Sequence, residues 1–258
     1  MTDPFFTAIF FTCAAGFSTT LGAFAAFFIK KDNIKLLSFL LSFSAGVMLF
    51  VSYTTLLPQG KSVLLTEALS KNTVVVFFIS FVLGMILASL IDRFVPEPEF
   101  HKHQTKEQNK VLKTGLFMAI ILAIHNFPEG LSTFVSSLSD LKIGSSVALA
   151  MAVHNIPEGI AIAVPIYCLT GSRKKAFLFS FLSGIIEPIG AMVGYFLLLP
   201  VVEVGMSGGI LIFAAGLMIY VSIITLLSFA KSTTDRKLML QGLLSSILVM
   251  LLYSTFIQ

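Results

Sequence analysis

Eight stretches of this chain are each long and apolar enough to cross a lipid bilayer, and no other sequence feature restricts the fold as tightly. They run Pro4–Ile29, Ile34–Leu57, Thr73–Phe94, Val111–Leu138, Ile143–Thr170, Lys174–Pro200, Gly205–Ala230 and Leu238–Ile257. A spanning helix needs about 20 residues, with a range of about 17–25. Of the 258 residues 56% are hydrophobic and only 12% charged, about half the charged share of a soluble domain. With a mean hydropathy of +0.95, one water-soluble core cannot hide the apolar surface. The predicted fold class is all-α, a polytopic membrane protein of eight transmembrane helices forming a single domain over residues 1–258.

The loops give an orientation. Lys30, Lys31 and Lys35 follow the first run, and Arg93, Lys102, Lys106, Lys110 and Lys113 the third. Arg173, Lys174 and Lys175 follow the fifth, and Lys231, Arg236 and Lys237 the seventh. Of the 17 basic residues only Lys61, Lys71 and Lys142 lie in the opposite loops. Basic residues mark the cytoplasmic side, so both termini are expected outside the cytoplasm. The net charge of +4 then reads as a topology signal and does not call for nucleic acid. The first run has no basic segment before it and exceeds a secretory h-region of about 7–15 residues, so it reads as a retained helix. Cys13 and Cys168 both lie in apolar runs without paired spacing, which argues against a disulfide or a cysteine metal site. The linker over residues 95–110 is polar, carries Pro96, Pro98, His101 and His103, and is expected to be a flexible cytoplasmic loop.

The chemistry sits in the middle of apolar runs. HNFPEG occupies His125–Gly130 and HNIPEG occupies His154–Gly159, identical at five of six positions. In each box His and Glu are four apart, so they share one helix face about 6 Å apart along the axis. The candidate ligands are His125, Glu129, His154 and Glu158, a mixed imidazole–carboxylate set that suits zinc, ferrous iron and similar cations. Pro128 and Pro157 remove backbone donors, and with Gly130 and Gly159 loosening the same turns a kinked helix pair is expected. The sixth run adds Glu187 ahead of Pro188, and its Gly190 and Gly194 form a small-xxx-small pair for close packing. His125 lies 14 residues in from Val111, His154 16 from Thr170 and Glu187 13 from Lys174. At 1.5 Å per residue all three stand about 20–24 Å from the same membrane face. An acid at mid-bilayer costs about 2.5–3.5 kcal/mol on insertion scales, and no Lys or Arg lies at that depth. A proton or a metal ion must supply the compensating charge.

These boxes, with SAGVML at Ser44–Leu49, LLP at Leu56–Pro58 and SGIIEPIG at Ser183–Gly190, resemble the ZIP family of divalent metal transporters, in its bacterial ZupT-type branch. The resemblance spans almost the whole chain. It implies a multi-pass protein of the plasma (inner) membrane that carries divalent metal into the cytoplasm, and not an enzyme. The cargo would be Zn²⁺ and Fe²⁺, with Mn²⁺, Co²⁺ and Cd²⁺ as further candidates, and no prosthetic group is implied. The resemblance implies a binuclear centre. One ion would be held by His125, Glu129, His154 and Glu158. A second would be held by Asn126, Asn155 and Glu187, with Glu129 and Glu158 bridging. It also implies an inverted repeat relating helices one to three with six to eight. The branch commonly has acids where this chain has Thr54 and Thr55 in helix two, and Ile224 and Thr225 in helix seven, positions of an approach or exit route. Partners are the metal ions and the lipid bilayer, with a homodimer left open. Two other readings of the buried ligands stand beside transport: an intramembrane zinc hydrolase, which needs an open coordination position, and a carrier of protons or monovalent ions.

Overall fold

The computed structural model describes residues 3–30, 33–66, 72–95, 106–139, 141–198, 206–233 and 236–257, and helix is the only regular structure among them. Eight spans meet the length and hydropathy of a membrane crossing: α1 (Pro4–Phe28), α2 (Lys35–Leu65), α3 (Thr73–Phe94), α4 (Lys113–Leu138), α5 (Gly144–Thr170), α6 (Arg173–Leu197), α7 (Gly208–Lys231) and α8 (Arg236–Thr255). The polytopic all-α expectation therefore holds. An even number of crossings leaves both ends of the chain on one side.

Local chemistry sets the helix ends. Asp3 accepts the Phe5 N–H at 2.9 Å with Pro4 in the first helical position, a favoured start because that N–H has no partner in any case. Asn33 and Ser172 cap α2 and α6 by accepting the N–H groups of Leu36 and Lys175. The α5–α6 turn passes through Gly171 at φ 66°, whose N–H bonds the Tyr167 carbonyl at 2.8 Å, a left-handed helix stop that favours glycine.

Two boundaries differ from the sequence reading. Helix α2 runs on to Leu65 and does not stop at Leu57. Pro58 brings no N–H to the ladder, and just before it the backbone widens into a π turn at Ser52–Leu56, with the Leu57 N–H reaching Ser52 O. Helix then resumes although the sequence turns polar at Gln59 and Lys61. The helix containing α4 starts at Lys106, so residues 106–110 of the expected loop are helical. Pro96, Pro98, His101 and His103 lie outside the described residues.

The spans pack as two groups of four. One group is α1, α4, α5 and α6; the other is α2, α3, α7 and α8, and the groups meet chiefly where α2 lies against α5 and α4 against α7. The main apolar core fills that junction, with Leu41 and Met48 of α2, Phe117 and Ile121 of α4, Ile162 and Val164 of α5 and Met218 of α7 fully buried. Only 11% of the most apolar window of α3 is buried, against 61% for α5, so α3 presents its side chains to hydrocarbon, where apolar exposure costs nothing.

Helices α2 and α7 repeat each other. SAGVMLFVSYTTLL at 44–57 matches AAGLMIYVSIITLL at 214–227. Both pass through a π turn, at Ser52–Leu56 and Val221–Leu227. Ser52 and Ser222 each donate to the carbonyl one turn back, Met48 and Met218, at 2.8 Å. Thr54 and Ile224 occupy matching exposed positions, and Thr55 and Thr225 matching half-buried ones.

Backbones meet at glycine in the four-helix group around α5. A Cβ at Gly22 would stand 2.2 Å from the Ile156 carbonyl of α5, and at Gly190 2.4 Å from the Phe127 carbonyl of α4. Contact this close between helices in lipid replaces the hydrophobic drive that holds soluble cores together. Gly22→Ala is expected to lower the stability of the purified protein by about 1–3 kcal/mol through overpacking. Gly209→Ala, whose nearest neighbour is the hydroxyl of Ser80, should unfold close to wild type. Thermal unfolding in detergent compares the two.

Candidate metal centre

Helices α4 and α5 run antiparallel and present their boxes to each other. His125, Glu129 and Glu158 are each no more than 1% exposed, and His154 is 4% exposed. Glu129 is the hub. Its Oε1 lies 3.0 Å from His125 Nε2 on its own helix and 2.9 Å from His154 Nε2 across the interface. His125 Nε2 is also 3.8 Å from Glu158 Oε1. His125, Glu129 and Glu158 each offer one donor atom within 4.8 Å of the others. His154 stands outside that mutual set and joins it through Glu129.

Hydrogen bonding fixes what the imidazole offers. His154 Nδ1 lies 3.1 Å from the Ala150 carbonyl, which can only accept, so Nδ1 carries the proton and Nε2 of the neutral ring is left with its lone pair. That lone pair faces a carboxylate oxygen at 2.9 Å. Two acceptors at this distance need a positive charge between or upon them. A tetrahedral ion with ligands at about 2.0–2.2 Å keeps those ligands about 3.3–3.6 Å apart. The separations of 2.9, 3.0 and 3.8 Å bracket that interval.

The asparagines and Glu187 form the next layer. Asn155 donates through Nδ2 to Glu187 Oε1 and to the Ala15 carbonyl of α1 at 2.9 Å. Asn126 donates to the Ser183 carbonyl of α6 at 3.2 Å. All three are fully buried. Both asparagine Oδ1 atoms, Glu187 Oε2, Glu129 Oε2 and both oxygens of Glu158 are buried without a hydrogen-bond partner. Buried acceptors are normally satisfied, so this many unpartnered oxygens on adjoining helices leave donors for a cation. All seven residues singled out in the sequence thus lie on three adjoining helices, joined through Glu129 and through Asn155.

Several participants had no side-chain signature in the sequence. Helix α1 enters the site through the Ala15 carbonyl. Ser44 of α2 donates to the Pro157 carbonyl at 2.7 Å, tying the second box to the other four-helix group. The helices run through Pro128 and Pro157 without interruption. The box glycines serve close approach instead of loosening the turns: a Cβ at Gly130 would be 1.9 Å from Glu187 O, and at Gly159 1.8 Å from Thr19 O. Two apolar grooves of about 390 and 500 Å³ beside α4 and α6 are lined by none of the seven residues. Neither Cys13 nor Cys168 is part of a disulfide.

The chain is similar to known proteins along most of its length. A family model described as ZIP Zinc transporter matches residues 97–252. The chain is 43% identical to the zinc transporter ZupT of Streptococcus mutans over 261 residues, which is 97% of each chain. It is 43% identical to the ZupT of Chlorobium phaeovibrioides over 97% of each chain. To the ZupT of Oceanobacillus iheyensis it is 43% identical, over 96% of this chain and 97% of the relative. A match across more than half of the chain, and relatives this similar along nearly all of it, leave one assignment: the chain belongs to the ZIP zinc transporter family.

Proposed function

We propose that this protein carries zinc across the plasma (inner) membrane into the cytoplasm, with ferrous iron and the divalent ions of manganese, cobalt and cadmium able to use the same ligands. The observation that carries the reading is the convergence of His125 and His154 on the single carboxylate oxygen of Glu129, with Glu158 beside them, all buried among helices that cross the membrane. The relatives' name, zinc transporter, supports the choice of cargo. The concentration of Lys and Arg in alternate loops supports termini on the outer side.

The cargo is bound in two steps of coordination. The first ion is held by His125, Glu129, His154 and Glu158. A second is held by the free Oδ1 atoms of Asn126 and Asn155 and by Glu187, with Glu129 and Glu158 shared between the two. Each ion sheds water as these ligands replace its hydration. Release requires that binding stay weak enough for exit. Four ligands fill a tetrahedral shell, whereas a hydrolase keeps one position open for its activated water. Family membership agrees, since the family is one of transporters.

In liposomes holding the purified protein, zinc uptake is expected, and Glu129→Ala and Glu158→Ala should each abolish it. Uptake of no divalent ion by the wild type, with both variants indistinguishable from it, rejects the proposal. Glu187→Ala should reduce the number of zinc ions bound per chain, read by calorimetry, while His125→Ala and His154→Ala should weaken the first ion. Zinc binding that uses unprotonated ligands should weaken in acid and recover on return to neutral pH, read by the same calorimetry.

A further inference from the structure

The four helices around the site are related in pairs by an exchange that sends α4 to α5 and α6 to α1. Its contacts come in matched sets. Gly130 abuts the Glu187 carbonyl, and Gly159 abuts the Thr19 carbonyl. Gly190 abuts Phe127 O, and Gly22 abuts Ile156 O, the same position of the second box. Asn126 donates to Ser183 O, and Asn155 to Ala15 O. Gly16 and Gly184 meet each other: a Cβ on Gly16 would stand 3.2 Å from the Glu187 Cβ, and one on Gly184 3.1 Å from the Thr19 Cβ. Every pair matches a residue of α1 with the residue 168 positions later on α6 (15 with 183, 16 with 184, 22 with 190). The same shift carries Thr19 onto Glu187.

Glu187 bonds Asn155 on one side of the centre. Its counterpart therefore stands on the opposite side, where Asn126 is. Thr19 is 0% exposed, and its Oγ1 is buried without a hydrogen-bond partner. Its carbonyl is occupied by the Ser180 hydroxyl at 2.7 Å, so the backbone there is anchored and only the side-chain oxygen is unused. A buried hydroxyl left unsatisfied is costly, and the feature it faces by this pairing is the cation centre.

We propose that Thr19 is a further residue of the metal site, the α1 counterpart of Glu187, facing the second cation as a neutral oxygen donor, directly or across one water. The second subsite is then walled by a carboxylate from α6 and a hydroxyl from α1, with the asparagines between them. This rests on the zinc site proposed above and adds one residue to it. Position 19 sets the charge of the subsite: a hydroxyl holds it at one local carboxylate, and an acid there would supply a second.

Zinc titration by calorimetry of the purified protein, with melting temperature read alongside, tests the assignment on four variants. Thr19→Ser keeps the hydroxyl and should bind as wild type. Thr19→Val keeps the shape without the oxygen, and should weaken the second binding event by about ten-fold or more, the range seen for groups that support metal ligands, with melting unchanged. Glu187→Thr should lose that event, and the double exchange Thr19→Glu with Glu187→Thr, which moves the acid to the matched position, should restore most of it. Wild-type binding by Thr19→Val, or a double exchange no better than Glu187→Thr alone, overturns the role of Thr19. Should Thr19→Val fail to fold, the double exchange decides alone. A wild-type protein that binds no zinc in the same titration overturns the proposed function itself.

Discussion

One carboxylate oxygen serves two imidazoles buried from solvent, and the surrounding fold is arranged to make that tolerable. Glu129 Oε1 holds His125 at 3.0 Å and His154 at 2.9 Å, with Glu158 and Glu187 close enough to interact electrostatically. Three acids together in hydrocarbon repel one another and lose their hydration. Among the described residues no lysine or arginine pairs with them. On the proposed function a divalent cation supplies the compensating charge, and the mixed nitrogen and oxygen donors suit one. In this setting the ligand cluster is unfavourable alone and favourable when loaded, a useful property where ions must bind and then leave.

Holding such a cluster requires helices that do not shift. The solution is backbone contact. Gly130 and Gly159 let α6 and α1 approach the two boxes until carbonyls touch the glycine Cα face, while Gly16 and Gly184 close the remaining side. The asparagines use the same closeness: each donates to a carbonyl of the approaching helix, Ser183 O or Ala15 O, which orients its Oδ1 for another use. Position and polarity are thus set by one set of contacts. Ser44, bonded to the Pro157 carbonyl, extends this to the second four-helix group.

Legibility in the sequence tracked side-chain chemistry. Histidine and glutamate four apart in an apolar run are conspicuous, so His125, Glu129, His154, Glu158 and Glu187 are legible in the chain itself, whereas Asn126 and Asn155 enter as ligands only through family resemblance. Helix α1 stays hidden because its observed contacts are a carbonyl and the bare faces of Gly16 and Gly22, and a single threonine such as Thr19 carries no signal in an apolar run. The helical continuation past Pro58 was missed because hydropathy falls at Gln59 while the π turn keeps the backbone going. The inverted repeat entered only through family resemblance, although 44–57 and 214–227 carry it in plain letters.

The matched halves of this protein differ at one telling place. Were the two halves identical throughout, an ion approaching the centre along either half would meet the same sequence of wells and barriers, and nothing in the architecture would distinguish arrival from departure. With the role proposed for Thr19, glutamate at 187 and threonine at 19 remove that equivalence, because a carboxyl offers a cation two oxygens on the α6 side and a hydroxyl offers one on the α1 side. A duplicated scaffold thereby acquires a chemical polarity at its centre.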